Sequence, residues 1–294
     1  MRNLIIYTIL FTLVPFCTES KTLFDTDGGD IYTFFSKANA KYVIRYEHQF
    51  NDTLIIPRNS ELFFDGGHLS GPIVFDDTKL SGNIRLQGSS IGGRVKNKTF
   101  NAKWLCVIDG ETDDAGRINE IIGVCSRVFF PKGIYRLRSA YDAKPLIGRK
   151  YGSSVESHIG ISKNNVSLTG EEGTVFLTDV PLGTICIFSK PYQLEKSVKG
   201  VKIKGITFRV VNNGDAFYEY MHTIKMLGAN GVLVEDCVFD DFWGDAICLS
   251  HYGDNSRSGE RARNQNIKIV NNKIIGGSKH NNRNGISIIN GKNV

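Results

Sequence analysis

Proline is scarce, 7 residues in 294, while glycine reaches 31, so the turns of this chain depend on left-handed glycines more than on fixed proline φ angles. Cysteine is also sparse, and none of the 6 falls in a Cys-x-x-Cys or Cys/His spacing, which argues against a disulfide framework or a structural zinc site. Cys106, Cys125, Cys186, Cys237 and Cys248 sit in apolar segments and read as packed thiols. No stretch of Lys or Arg interleaved with aromatics is present, so nucleic acid is not an expected partner. The formal charge of +6 is modest and dispersed, as on a solvated surface. No apolar run after the N-terminus is long enough to span a bilayer.

What is there is repetition. Between Leu62 and Gly93 one template returns every 11 residues, aligning Leu62, Ile73 and Ile84, then Phe64, Phe75 and Leu86, then Leu69, Leu80 and Ile91, then Gly71, Gly82 and Gly93. Two such units are expected to make a 22-residue coil. Farther on, VSLTG at Val166, VKIKGITF at Val201, VLVEDCVF at Val232 and IKIVNNKI at Ile267 start 35, 31 and 35 residues apart. A fixed apolar template with variable loops is the signature of stacked repeats, each burying its face on the next. An antiparallel sandwich of unrelated strands is the competing reading, but nothing in it would repeat one position-specific pattern. The predicted fold is therefore all-β, a parallel solenoid with Val166, Val201, Val232 and Ile267 in one column.

The N-terminus reads as a targeting segment. Arg2 is followed by a nearly continuous apolar run, Leu4 to Phe16, too short to span a membrane. A signal peptide over residues 1–20 makes the mature chain secreted, periplasmic or on the cell surface, with a lipid anchor at Cys17 as the alternative. Residues 21–103 form a β-rich lead of half-coil repeats, and residues 104–294 the main coil stack. The chain stops at the first residues of another coil with no visible cap, so truncation at that end is also expected.

Residues 109–137 carry the most specific local signal. Asp113 or Asp114 can cap a helix reaching about Cys125, with Ile118, Ile121 and Ile122 on one face, followed by a VFFP strand, a Lys132–Gly133 turn and an IYRL strand. Asp109, Gly110, Asp113, Asp114, Phe130, Pro131, Gly133 and Tyr135 resemble the opening segment of the pectate lyase superfamily, most closely its rhamnogalacturonase and tailspike-like subgroup. That resemblance implies a right-handed parallel β-helix with a short capping helix, and a structural rather than catalytic role for Asp113 and Asp114.

Chemistry on such a scaffold sits on the outer face of one sheet and in the loops beside it. Aligning HTIKML (222–227), DAICLS (245–250) and NGISII (284–289) places Ile224, Ile247 and Ile286 inward, with Met226, Leu249 and Ile288. The outward set is Thr223, Lys225, Ala246, Cys248, Ser250, Gly285 and Ser287, mostly small, as the floor of an open groove would be. His222, Asp245 and Asn284 then stack at the rim, Arg283 beside the last. His251, Tyr252 and Asp254 follow in one loop, and Lys279 and His280 precede Arg283 in another. Phe217, Tyr218, Tyr220 and Trp243 lie in the turns that lead to this rim, where they either stack on sugars or pack under a loop.

In the polygalacturonases of the superfamily the same rim carries Asn-Thr-Asp, Asp-Asp and Gly-His-Gly, whereas here it reads Met221-His222-Thr223, Gly244-Asp245-Ala246 and Arg283-Asn284-Gly285. Only Asp245 keeps an acid, and hydrolysis normally uses two carboxylates, for which Asp240, Asp241 and Asp254 are the available partners. β-Elimination needs a base and positive charge against a uronate carboxylate, which His222, Lys225, His251, Lys279, His280 and Arg283 supply. The expected function is cleavage of a polysaccharide, uronate-containing, by elimination or hydrolysis. Asp245, His222 and Arg283 are the catalytic candidates, and Lys225, His251, Tyr252, Asp254, Lys279, His280, Asn284 and Trp243 the substrate-binding ones. A non-catalytic glycan-binding protein is the alternative; no metal or cofactor is expected.

Overall fold

A computed structural model describes residues 20–23, 31–148, 153–189, 197–211, 218–251, 263–276 and 283–294. The apolar N-terminal run and Cys17 lie outside them. The chain is built mostly of short strands in parallel sheets. One six-stranded sheet takes its strands in the order Asp109–Asp113, Gly133–Leu137, Thr174–Thr178, Thr207–Val210, Val238–Asp240 and Lys273–Ile275. A second contains Arg127–Phe130, Ser167–Gly170, Lys202–Lys204, Leu233–Glu235 and Lys268–Val270, and a third Ser157–Ile161, Gly183–Phe188, Ile224–Leu227, Ile247–Ser250 and Ile286–Ile288. In each sheet, neighbours come from successive passes of the chain, an arrangement compatible with a parallel β-helix.

Register follows side-chain alternation. Leu168, Ile203, Val234 and Ile269 pair in sequence inside the second sheet. Tyr135, Phe176, Phe208 and Phe239 do the same inside the first, with Phe208 and Phe239 stacked at 5.2 Å. The outward positions between them are charged and pair across strands, as in Arg209–Asp240 and Lys204–Glu235. Val166, Val201, Val232 and Ile267 form the expected column: each carbonyl of the first three accepts the amide one residue past the next member.

The residue just before each member of that column has positive φ: Asn165 (58°), Gly200 (69°), Gly231 (67°) and Asn266 (53°). Each pass thus turns the same corner with a residue type that tolerates left-handed backbone. At Gly231 an added Cβ would meet nothing closer than 3.8 Å, so conformation alone sets the cost of a side chain there. Gly231→Asn is therefore expected to lower stability by under ~1 kcal/mol, and Gly231→Val by about 2 kcal/mol, read from urea unfolding.

The lead segment corrects the repeat reading. Leu62, Phe64, Leu69, Ile73, Phe75, Leu80, Ile84, Leu86 and Ile91 are all buried, as the template requires. The stacking partners, however, are Leu62 with Leu80 and Ile73 with Ile91, 18 residues apart (80 − 62 and 91 − 73), and Tyr42 with Leu62, 20 apart (62 − 42), so these passes are shorter than 22. The 11-residue match relates one face of the lead to the next face, not one strand to the strand stacked on it. Gly82 and Gly93 take positive φ (80° and 81°) within strands, stacked on Phe64 and Phe75, where a Cβ would overlap a carbonyl, Phe64 O at 2.2 Å and Phe75 O at 1.9 Å.

The helix Ala115–Val124 packs Ile118, Ile121 and Ile122 into the core. Asp113 Oδ1 accepts the Ala115 amide, while Asp114 turns its carboxylate to the amides of Val107 and Ile108. Both carboxylates are taken up by backbone amides beside the helix start. Cys106, Cys125, Cys186, Cys237 and Cys248 are free, buried thiols.

Candidate functional site

The third sheet positions the rim. Ile224 pairs with Ile247 and Ile247 with Ile286, so the residues ahead of these strands come from three consecutive passes. The Thr223 amide donates to Asp245 O, and the Ala246 amide to Asn284 O, carrying the register into the loops. His222, Asp245 and Asn284 converge as a result. His222 Nδ1 lies 3.2 Å from Asp245 Oδ2 and 3.1 Å from the Asp245 amide. The backbone amide and side-chain Nδ2 of Asn284 both donate to Asp245 Oδ1, at 3.1 and 3.2 Å. Gly244 allows this approach, since a Cβ there would stand 2.7 Å from Glu219 O and 3.1 Å from His222 Nδ1.

Asp245 is 1% and His222 4% exposed, so the pair is removed from bulk water. Burial alone would raise the Asp245 carboxyl. Hydrogen bonds from His222 and Ser287, the nearby His222 charge and the Asn284 amide outweigh it and bring the pKa from 3.8 to about 2. A carboxyl lowered in the folded state contributes stability that is complete above its ordinary pKa and lost as pH falls through the folded value. Melting temperature should therefore drop between about pH 4 and pH 2 more steeply in the parent than in Asp245→Asn; parallel acid profiles would show that Asp245 is not held in this way.

Arg283 donates its backbone amide to Gly244 O and pairs with Glu219 Oε1 at 2.9 Å, both side chains about one-third exposed. Glu219 was not among the sequence candidates; lying three residues before His222, it could have been found as the acid sharing that loop. Asp240 pairs with Arg209, and Asp241, in a left-handed turn, accepts the Phe242 amide. Trp243 is 4% exposed and meets Tyr218 edge-on at 5.2 Å, which makes it a packing residue; Tyr220 is exposed. His251 closes the strand end, half-buried. Phe217, Tyr252, Asp254, Lys279 and His280 lie outside the described residues.

The outer face of the sheet differs from the expected open floor. Thr223, Ala246 and Cys248 are buried, and Ala246 packs in the main core rather than forming part of an outward floor. Upstream on the same face, Ala143, Val155, Tyr141 and Ile147 cover Cys186, Phe188 and Leu227. Small outward residues here make room for covering segments as well as for a ligand. Down this face run Cys186, Lys225, Cys248 and Ser287 in register. Burial, with the Asp245 charge, pushes the Cys248 thiol up to about 12, and burial takes Cys186 to about 12. No family model, curated protein or solved structure matches the chain. Among the described residues no helix is long and apolar enough to cross a membrane.

Proposed function

We propose that the chain is an exported right-handed parallel β-helix, similar to pectate lyases, that cleaves a uronate-containing polysaccharide by β-elimination. The convergence of His222, Asp245 and Asn284 from three consecutive passes carries this reading. Asp245 is held ionised and takes hydrogen bonds from several donors, so it suits orienting an imidazole better than donating a proton. His222 is the base for the proton α to the uronate carboxylate. Arg283, held by Glu219, is the positive group that faces that carboxylate. Hydrolysis is less well served, because a protonated carboxylic acid is what it needs and Asp245 is kept as the carboxylate.

Burial of His222 and Asp245 supports a second reading, a glycan-binding module in which the pair only shapes the rim. Incubation with a panel of acidic and neutral polysaccharides separates the two. Elimination predicts growth of ultraviolet absorbance from unsaturated product, lost in His222→Gln. Retention of the glycan without any product would favour the module.

A further inference from the structure

We infer that His222, Asp245 and Cys248 form a binding site for a zinc-like divalent cation, a site that the sequence spacing does not reveal. An imidazole nitrogen, a carboxylate oxygen and the thiol sulfur lie within 4.8 Å of one another, and all three residues are buried. In a tetrahedral zinc site, ligands at about 2.0–2.3 Å from the metal stand about 3.3–3.6 Å apart. His222 Nδ1 and Asp245 Oδ2, at 3.2 Å, are close to that separation, and the Cys248 sulfur lies within 4.8 Å of a donor atom of each.

The donor chemistry selects the metal. One nitrogen, one oxygen and one sulfur suit Zn²⁺ or Co²⁺, while Ca²⁺ and Mg²⁺ require shells of oxygen. The scaffold holds the ligands in place. Asp245 is fixed by the amide and side chain of Asn284, the outer support that metal-ligating carboxylates commonly have. Lys225 is the register partner of Cys248 on the neighbouring strand. Binding would displace the thiol proton, so affinity falls as pH is lowered. Three protein ligands leave a fourth position for water or a sugar oxygen. The site shares residues with the elimination centre but does not depend on glycan cleavage; with a cation bound, His222 would be a ligand and would not serve as the base.

The test uses the full chain, reduced and stripped with a chelator, titrated with Co²⁺ and no glycan present. The expected result is one Co²⁺ per chain with a thiolate-to-cobalt charge-transfer band and tetrahedral visible bands. Cys248→Ser should abolish the charge-transfer band, Asp245→Asn should weaken binding at least ~10-fold, and Cys186→Ser should leave both intact. Absence of the charge-transfer band in the parent overturns the proposal whatever the variants do, as does a band unchanged in Cys248→Ser. Glycan turnover, measured separately, decides the elimination reading alone.

Discussion

Asp245→Asn lowers polysaccharide turnover by about 100-fold or more, the usual scale for a group that sets up acid–base chemistry. It also lowers the melting temperature. From the sequence, the same substitution should leave folding nearly untouched, because asparagine keeps the shape while removing the charge. The structure changes that expectation, since Asp245 is 1% exposed and receives the Asn284 amide and side chain together with His222. An amide keeps the shape but removes the charge and turns an NH₂ group toward donors. Hydrogen bonds to a buried charge are worth about 1.5–3 kcal/mol each, so a net loss of roughly 2–4 kcal/mol is expected. For a chain of this size that is on the order of 5–10 °C by calorimetry. Turnover per folded molecule, measured well below the melting point, separates the two effects. Full activity in a folded Asp245→Asn protein would move the chemistry off this rim.

Asn264→Asp costs still more stability and little chemistry. Asn264 is wholly buried one strand beyond the site, at the corner after the third sheet. Its Oδ1 accepts the amides of Gly228 and Ala229, both at 3.0 Å. Its Nδ2 donates to the carbonyls of Met226, Ser250 and Asn290. One side chain thereby ties three passes together. The aspartate would present oxygens to three carbonyls and bury an uncompensated charge, a change worth about 3–5 kcal/mol. Urea unfolding of Asn264→Asp against the parent measures it, and a loss under about 1 kcal/mol would mean the corner is solvated or rearranged.

Much of the stack was legible because a parallel ladder repeats its demands at every pass. The column Val166–Ile267, the inward Ile224 and Ile247, and the rim set His222, Asp245 and Asn284 all follow from the two-residue alternation and the recurring template. Ile286 and Ile288 keep that register yet are 42% and 55% exposed, since among the described residues no further strand of their sheet follows them. The length of a pass in the lead was not legible: an 11-residue self-match leaves open whether like residues stack or occupy successive faces, and only the strand register decides it. Cover on the outer face was hidden too, because Cys248 and Ala246 read equally well as groove floor and as packing under a loop. Asn264 and the proximity of Cys248 to His222 depend on long-range approach between passes, which no local spacing encodes.

The most direct measurement follows unsaturated-product absorbance and new reducing ends together in one reaction of the parent chain with an acidic polysaccharide. Elimination predicts one unsaturated end for each reducing end formed, with both signals lost in His222→Gln. Reducing ends without absorbance would contradict it in favour of hydrolysis, and neither signal across the panel would contradict cleavage altogether.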